Sequence, residues 1–139
     1  ARNYVREFGV QTRDELGVKT RQVIEDGWLV STDEYYRLRS ATRNAKEMFA
    51  KFSSGFDAVM VPAAPGVAPD ISATGNPLFS RIWSLLGTPA ITLPAGSGEA
   101  ALPIAVQFVT DIDEDKRLID VCKRVEKLLE GRAPHINFS

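Results

Sequence analysis

The feature that most constrains this chain is its last apolar stripe. Leu118, Val121, Cys122, Val125, Leu128 and Leu129 recur at i, i+3, i+4 and i+7, the spacing that lays one continuous face along a helix. Such a face has to be covered by another layer of structure. Three short apolar runs upstream offer one: Ala58–Val61, Pro89–Pro94 and Ile104–Val109. Ala58–Val61 lacks alternation, which predicts a strand covered on both faces. Ala95–Ala101 contains glycine and separates the other two runs, predicting an antiparallel, hairpin-like pair. Asp113, Glu114 and Asp115 suit the positive end of the last helix, and Gly131 and Pro134 suit its stop.

Three further helices are expected. Thr12 and Glu15 have capping-box spacing ahead of Leu16, Val23 and Ile24, with Gly27 as a stop. Ser31 and Glu34 repeat that spacing before Leu38, Ala41, Ala45, Met48, Phe49 and Phe52, and Gly55 closes the segment. Asn76 is placed to cap a helix whose first position is Pro77, with Phe79, Ile82, Trp83 and Leu86 as its apolar stripe and Gly87 as its end. Pro62–Pro69, rich in proline, alanine and glycine, reads as an extended loop. The fold class that follows is α/β, a partial sheet flanked by helices. Residues 1–139 are expected to form one unit, with 1–55 mainly helical and 56–131 α/β.

Composition narrows the function classes. The 139 residues carry 17 basic and 18 acidic side chains, a net charge of −1. That balance supplies no long-range pull toward phosphate or anionic lipid, so neither nucleic acid nor membrane is expected as a partner. No apolar run approaches bilayer-spanning length, and the N-terminus does not read as a secretory leader. It opens on alanine, and Arg2–Phe8 reads as mid-chain sequence. Cys122 is the only cysteine, which fits a reducing cytoplasm and leaves no thiolate metal cluster to build.

The chemistry-bearing residues have plain structural accounts. Lys51, Ser53 and Ser54 offer the types needed for a serine nucleophile and a lysine base. Their position instead suits a helix end, with Lys51 at the negative pole and Gly55 as a left-handed cap. Asp111, Asp113 and Asp115 begin like a calcium loop, but Lys116 and Cys122 stand where that loop needs glycine and glutamate. His135, the only histidine, lies beside Pro134 in a tail. Lys19, Arg21, Arg37, Arg39 and Arg43 are interspersed with acidic residues, as on a solvated helical face. No catalytic, cofactor-binding or metal-binding residue is assigned.

From Phe56 to Leu129 the chain resembles the C-terminal part of the amidase-signature family. The resemblance is carried by Phe56-Asp57-Ala58-Val59-Met60-Val61-Pro62, Ala68-Pro69 and Thr74-Gly75-Asn76-Pro77-Leu78-Phe79. It continues through Trp83-Ser84-Leu85-Leu86-Gly87-Thr88-Pro89-Ala90-Ile91-Thr92-Leu93-Pro94-Ala95-Gly96 and Leu102-Pro103-Ile104-Ala105-Val106-Gln107-Phe108-Val109. The segment from Thr12 to Phe52 fits the family's preceding region more loosely. Two departures stand out. Ala101 and Ala105 occupy places the family usually gives to glycine, and the glycine- and serine-rich signature with its upstream lysine has no match.

The resemblance implies a mixed sheet sandwiched by helices and an amidase. In that family a serine attacks the amide carbonyl, assisted by a second serine with a cis peptide bond and by a lysine. Those parts belong to a region this chain does not contain. What remains is scaffold and one wall of the substrate cleft, where Thr74, Asn76, Phe79 and Trp83 are the residues placed to meet a small-molecule amide. The expected partners are the N-terminal remainder of such an enzyme or a second copy of the chain. The alternatives are a non-catalytic interaction module of the same fold and, more remotely, a free-standing hydrolase using Lys51, Ser53 and Ser54.

Overall fold

The computed structural model describes residues 16–129. Its elements in order are α1 (Val18–Leu29), α2 (Thr32–Ser53), β1 (Val59–Pro62), α3 (Leu78–Leu86), β2 (Ala90–Ser97), a 3-10 turn (Glu99–Ala101), β3 (Pro103–Val109) and α4 (Asp115–Leu129). The chain divides into two compact units, Ala1–Arg43 and Asn44–Ser139. The α/β class read from the sequence is the one observed.

In the first unit, Gly17 sits at the cap of α1 and Ile24 is its buried residue. Gly27 does not stop this helix, which runs on to Leu29 and ends where Val30 turns extended. A glycine inside a helix costs only about 1 kcal/mol, too little to break it where the flanking residues continue. The spacing at Thr12 and Glu15 lies outside the described residues. At the start of α2 the Glu34 N–H donates to the Ser31 Oγ at 3.1 Å, the expected cap. The Glu34 carboxylate accepts from Arg37 at 2.6 and 2.8 Å. The Arg39 guanidinium lies 5.8 Å from the Tyr35 ring centre. These basic residues belong to a solvated helix face.

The second unit is built on a three-stranded sheet in the order β1-β3-β2, antiparallel throughout. Val59 pairs with Val109 on one side of β3, and Ala90 pairs with Val109 on the other. The helix α4 lies on one face. Leu93 and Phe108 from the sheet meet Leu118 and Cys122 from α4, with Ala58, Ile91, Val106, Val125 and Leu129 packed around them. Burial of Leu93, Phe108 and Leu118 stabilises the unit by roughly 1.5–3 kcal/mol each, and burial also pushes the Cys122 thiol pKa up. Leu128, expected on the stripe, is exposed. It falls about 100° round the helix from Leu129, at the margin of the stripe, while Leu129 itself packs against the core.

Several local expectations need correction. The strand β1 is not covered on both faces: its residues alternate half-buried and exposed, and Met60 is 62% exposed. Among the described residues it is an edge strand, paired with β3. Gly55 is not the left-handed cap of α2, because the positive-φ glycines are 75, 87 and 96, and the helix closes at Ser53. The β2–β3 turn is shorter than Ala95–Ala101, since β2 extends to Ser97. It is closed by the Gly98 N–H donating to Leu102 O at 2.8 Å and the Leu102 N–H donating to Glu99 O at 3.0 Å. Within it Ala100 and Ala101 adopt φ of 52° and 59°. A left-handed alanine costs roughly 1–2 kcal/mol, which gives a physical reason for glycine at the place Ala101 fills. Gly87 does end α3, at φ 73°, its N–H donating to Trp83 O.

Two outcomes are expected in chemical denaturation. Leu118→Ala lowers stability by about 2–5 kcal/mol as its cavity opens in the core, while Leu128→Ala changes it by no more than about 0.5 kcal/mol; equal losses would place the core elsewhere. Ala101→Gly raises stability by about 1 kcal/mol through relief of the left-handed alanine, and a lower midpoint in that variant would show that the turn is unstrained.

Candidate cleft wall

Two loop segments and the start of α3 enclose an open depression of about 400 Å³. One side is Ala64–Pro69, the proline-rich run that leaves β1; the other is Thr74–Pro77, with Ser80 from α3. Its walls are mostly small apolar surface, with Thr74, Asn76 and Ser80 as the polar side chains. Small residues keep the backbone accessible, and a few polar groups among apolar walls are what a small-molecule site requires.

The local sequence explains how these groups are held. Between the two segments the chain reverses at Asp70–Ala73, where the Asp70 carboxylate accepts from the Ser72 N–H at 2.9 Å and the Ala73 N–H donates to Asp70 O at 2.9 Å. The hydrogen bond from the Ser72 backbone holds the Asp70 pKa below the ordinary aspartate value. Gly75 at φ 71° turns the chain into α3 and packs near the Pro69 ring. On the other flank, a Cβ on Gly98 would stand 2.6 Å from Val67 Cγ1, so the β2–β3 turn is in direct contact with the wall loop.

Of the four residues expected to meet substrate, Thr74 and Asn76 line the depression. Asn76 is not the helix cap it was expected to be. The helix begins at Leu78, and the carbonyl of Pro77 accepts from Ser80 and Arg81. Neither Thr74 nor Asn76 makes a side-chain hydrogen bond with another described residue, so both keep donor and acceptor free. Ser80, by contrast, donates its hydroxyl to Pro77 O at 3.3 Å. Phe79 and Trp83 lie outside the lining, half-buried on α3. The Trp83 ring stands 5.5 Å from that of Phe49, and its indole N–H is buried without a hydrogen-bond partner among the described residues. Val67, Pro65 and Ser80 belong to the lining and carry no chemical signal in the sequence beyond the proline-glycine loop itself.

The residues set aside as structural are placed accordingly. The Ser53 hydroxyl donates to Ala50 O at 3.3 Å and the Ser54 hydroxyl to Lys51 O at 2.9 Å. Both are helix back-bonds, and Lys51 is an exposed residue of the last turn. No group of three histidine, cysteine, aspartate or glutamate side chains among the described residues is placed to hold a metal ion. No helix among them is long and apolar enough to cross a membrane. His135 lies outside the described residues.

The sign of the Asp70 shift sets a pH dependence. Its carboxylate form is favoured in the folded turn, so the turn's contribution is complete above the unfolded aspartate pKa and is lost as pH falls through the lowered folded value. The Ser72 amide proton resonance is therefore expected to hold constant near neutrality and shift only in that acidic window, and Asp70→Ala is expected to abolish the step. A Ser72 resonance indifferent to both would separate the carboxylate from the turn.

No family model matches the chain. Known proteins resemble it nonetheless. It is 28% identical over 144 residues to the A-type component of the glutamyl-tRNA(Gln) amidotransferase of Campylobacter concisus, covering 94% of this chain and 32% of that protein. A solved amidase structure shares the fold with a TM-score of 0.74 at 21% identity, over 94% of this chain and 32% of the other. A chain from a vestigial complex bearing on the origins of an s-triazine catabolic enzyme matches with a TM-score of 0.73 at 21% identity, over 90% and 30%. The chain spans about a third of the length of these relatives. In sequence and in fold alike it resembles the C-terminal portion of amidase-signature enzymes.

Proposed function

We propose that this chain is the scaffold and one wall of the substrate cleft of an amidase that hydrolyses carboxylic amide C–N bonds. The catalytic serines and lysine, in a Ser–cis-Ser–Lys arrangement, lie in a portion outside these residues. The observation that carries this reading is the pairing of Thr74 and Asn76 on one small, otherwise apolar depression with their polar groups uncommitted. An amide presents one acceptor and up to two donors. A threonine hydroxyl and an asparagine carboxamide each supply both kinds of partner. The resemblance to amidases and to A-type amidotransferase components over about a third of their length supports the same assignment. The lone thiol, Cys122, is buried and suits a cytoplasmic setting.

The chemical division of labour follows. A wall of this kind orients the scissile amide, and its contribution is made before bond cleavage as much as during it. Groups of that type set KM more than kcat. The back-bonded Ser53 and Ser54 supply no nucleophile in this arrangement.

In an active amidase that contains this chain, Thr74→Val and Asn76→Ala are each expected to raise KM for small amides by about tenfold, corresponding to about 1.4 kcal/mol, with a smaller change in kcat. The chain by itself is expected to leave amides at their background rate. Turnover by the isolated chain that disappears in Ser53→Ala or Ser54→Ala would overturn the proposal.

A further inference from the structure

In the turn between β2 and β3, glycine and alanine stand the opposite way round from what the backbone alone would ask. Ala100 and Ala101 take left-handed φ of 52° and 59°, where glycine would be easier. Gly98, beside them, has a φ of −101°, on the side of the map open to any residue. Handedness therefore does not account for glycine here; space does. A Cβ on Gly98 would stand 2.6 Å from Val67 Cγ1 and 3.1 Å from Ile104 Cγ2. The first distance is well inside the roughly 3.5–4.0 Å at which carbon atoms pack. Gly98 is held in place by its own N–H, which donates to Leu102 O at 2.8 Å.

Val67 lines the depression. We infer that Gly98, acting through Val67, sets the width of the depression and with it the size of amide admitted. With no side chain at 98, Val67 stands back and leaves room for a branched or aromatic substituent. This deepens the function proposed above and rests on it. Gly98 touches Val67 and is a positioning residue. Two features make the coupling stiff. Val67 is branched at Cβ, so its χ1 is restricted and pressure on it moves the loop more readily than the rotamer. Pro65 and Pro69 lie on either side of it, and the Pro69 ring is 3.5 Å from where a Cβ on Gly75 would stand, against the facing segment. None of the residues lining the depression carries a charge, so the substituent that suits it is uncharged.

Acetamide and benzamide, both neutral, serve as narrow and wide probes in an active amidase that contains this chain. The quantity read is the ratio of kcat/KM for benzamide to that for acetamide. Gly98→Ala is expected to lower this ratio about tenfold, chiefly through KM for benzamide. Val67→Ala is expected to raise it. Gly98→Ala made on top of Val67→Ala is expected to leave the ratio where the single change put it, because the two groups no longer meet. General damage to the fold lowers turnover of both amides together and leaves the ratio alone. In the 139-residue chain, the backbone amide resonances of residues 64–69 are expected to shift in Gly98→Ala, and far less when Val67 is already alanine. A ratio unmoved by Gly98→Ala, or moved equally with and without Val67, overturns the inference; KM effects at Thr74 and Asn76 then leave the proposed function standing. If Thr74→Val and Asn76→Ala leave KM unmoved as well, the depression is no amide site and both fall together.

Discussion

The fold of residues 44–129 rests on the contact between α4 and the β2–β3 face. Leu93 and Phe108 present side chains from neighbouring strands, and Leu118 and Cys122 close over them. Without that cover the sheet would be three strands with a wet apolar face, and three short strands alone are near the limit of independent stability. The same contact fixes the register of the hairpin, because a shift of one residue would turn Phe108 to the opposite face. The segments that shape the depression hang from this layer. The Ala64–Pro69 loop leaves β1, and α3 enters β2.

How much of this is legible in the sequence depends on whether a residue's role is local. The stripe of α4 is legible because helical spacing and burial coincide at Leu118, Val121 and Cys122. It overreaches at Leu128, which sits at the margin of the stripe and is exposed although Leu129 beside it packs against the core. The helix ends show the same split. Ser31 caps α2 because the bond it makes is three residues away. Gly27 and Gly55 mislead because a glycine permits a left-handed turn without requiring one. The two-sided burial expected of Ala58–Val61 fails because only one face of β1 is covered among the described residues, a fact about layering that no four-residue run contains.

The site divides along the same line. Thr74 and Asn76 share the depression through a loop reversal at Asp70, whereas Phe79 and Trp83, close in sequence, lie outside its lining, and Trp83 meets Phe49 instead. The intervening wall residues, Pro65 and Val67, have no chemistry to announce them. They matter through shape. What the sequence does carry is a combination of motifs shared with amidases, and that resemblance, like the structural match, covers about a third of those proteins.

The meeting of Gly98 with Val67 has a consequence for how this surface can vary. A methyl group added at position 98 would press hardest on the stiff, branched side chain of Val67, more closely than on Ile104 in its own hairpin. Variation at the tip of the hairpin is therefore felt as displacement of the rim on which a ligand would sit. Position 98 has no room to grow while a valine stands at 67, so the hairpin tip and the rim constrain one another's size.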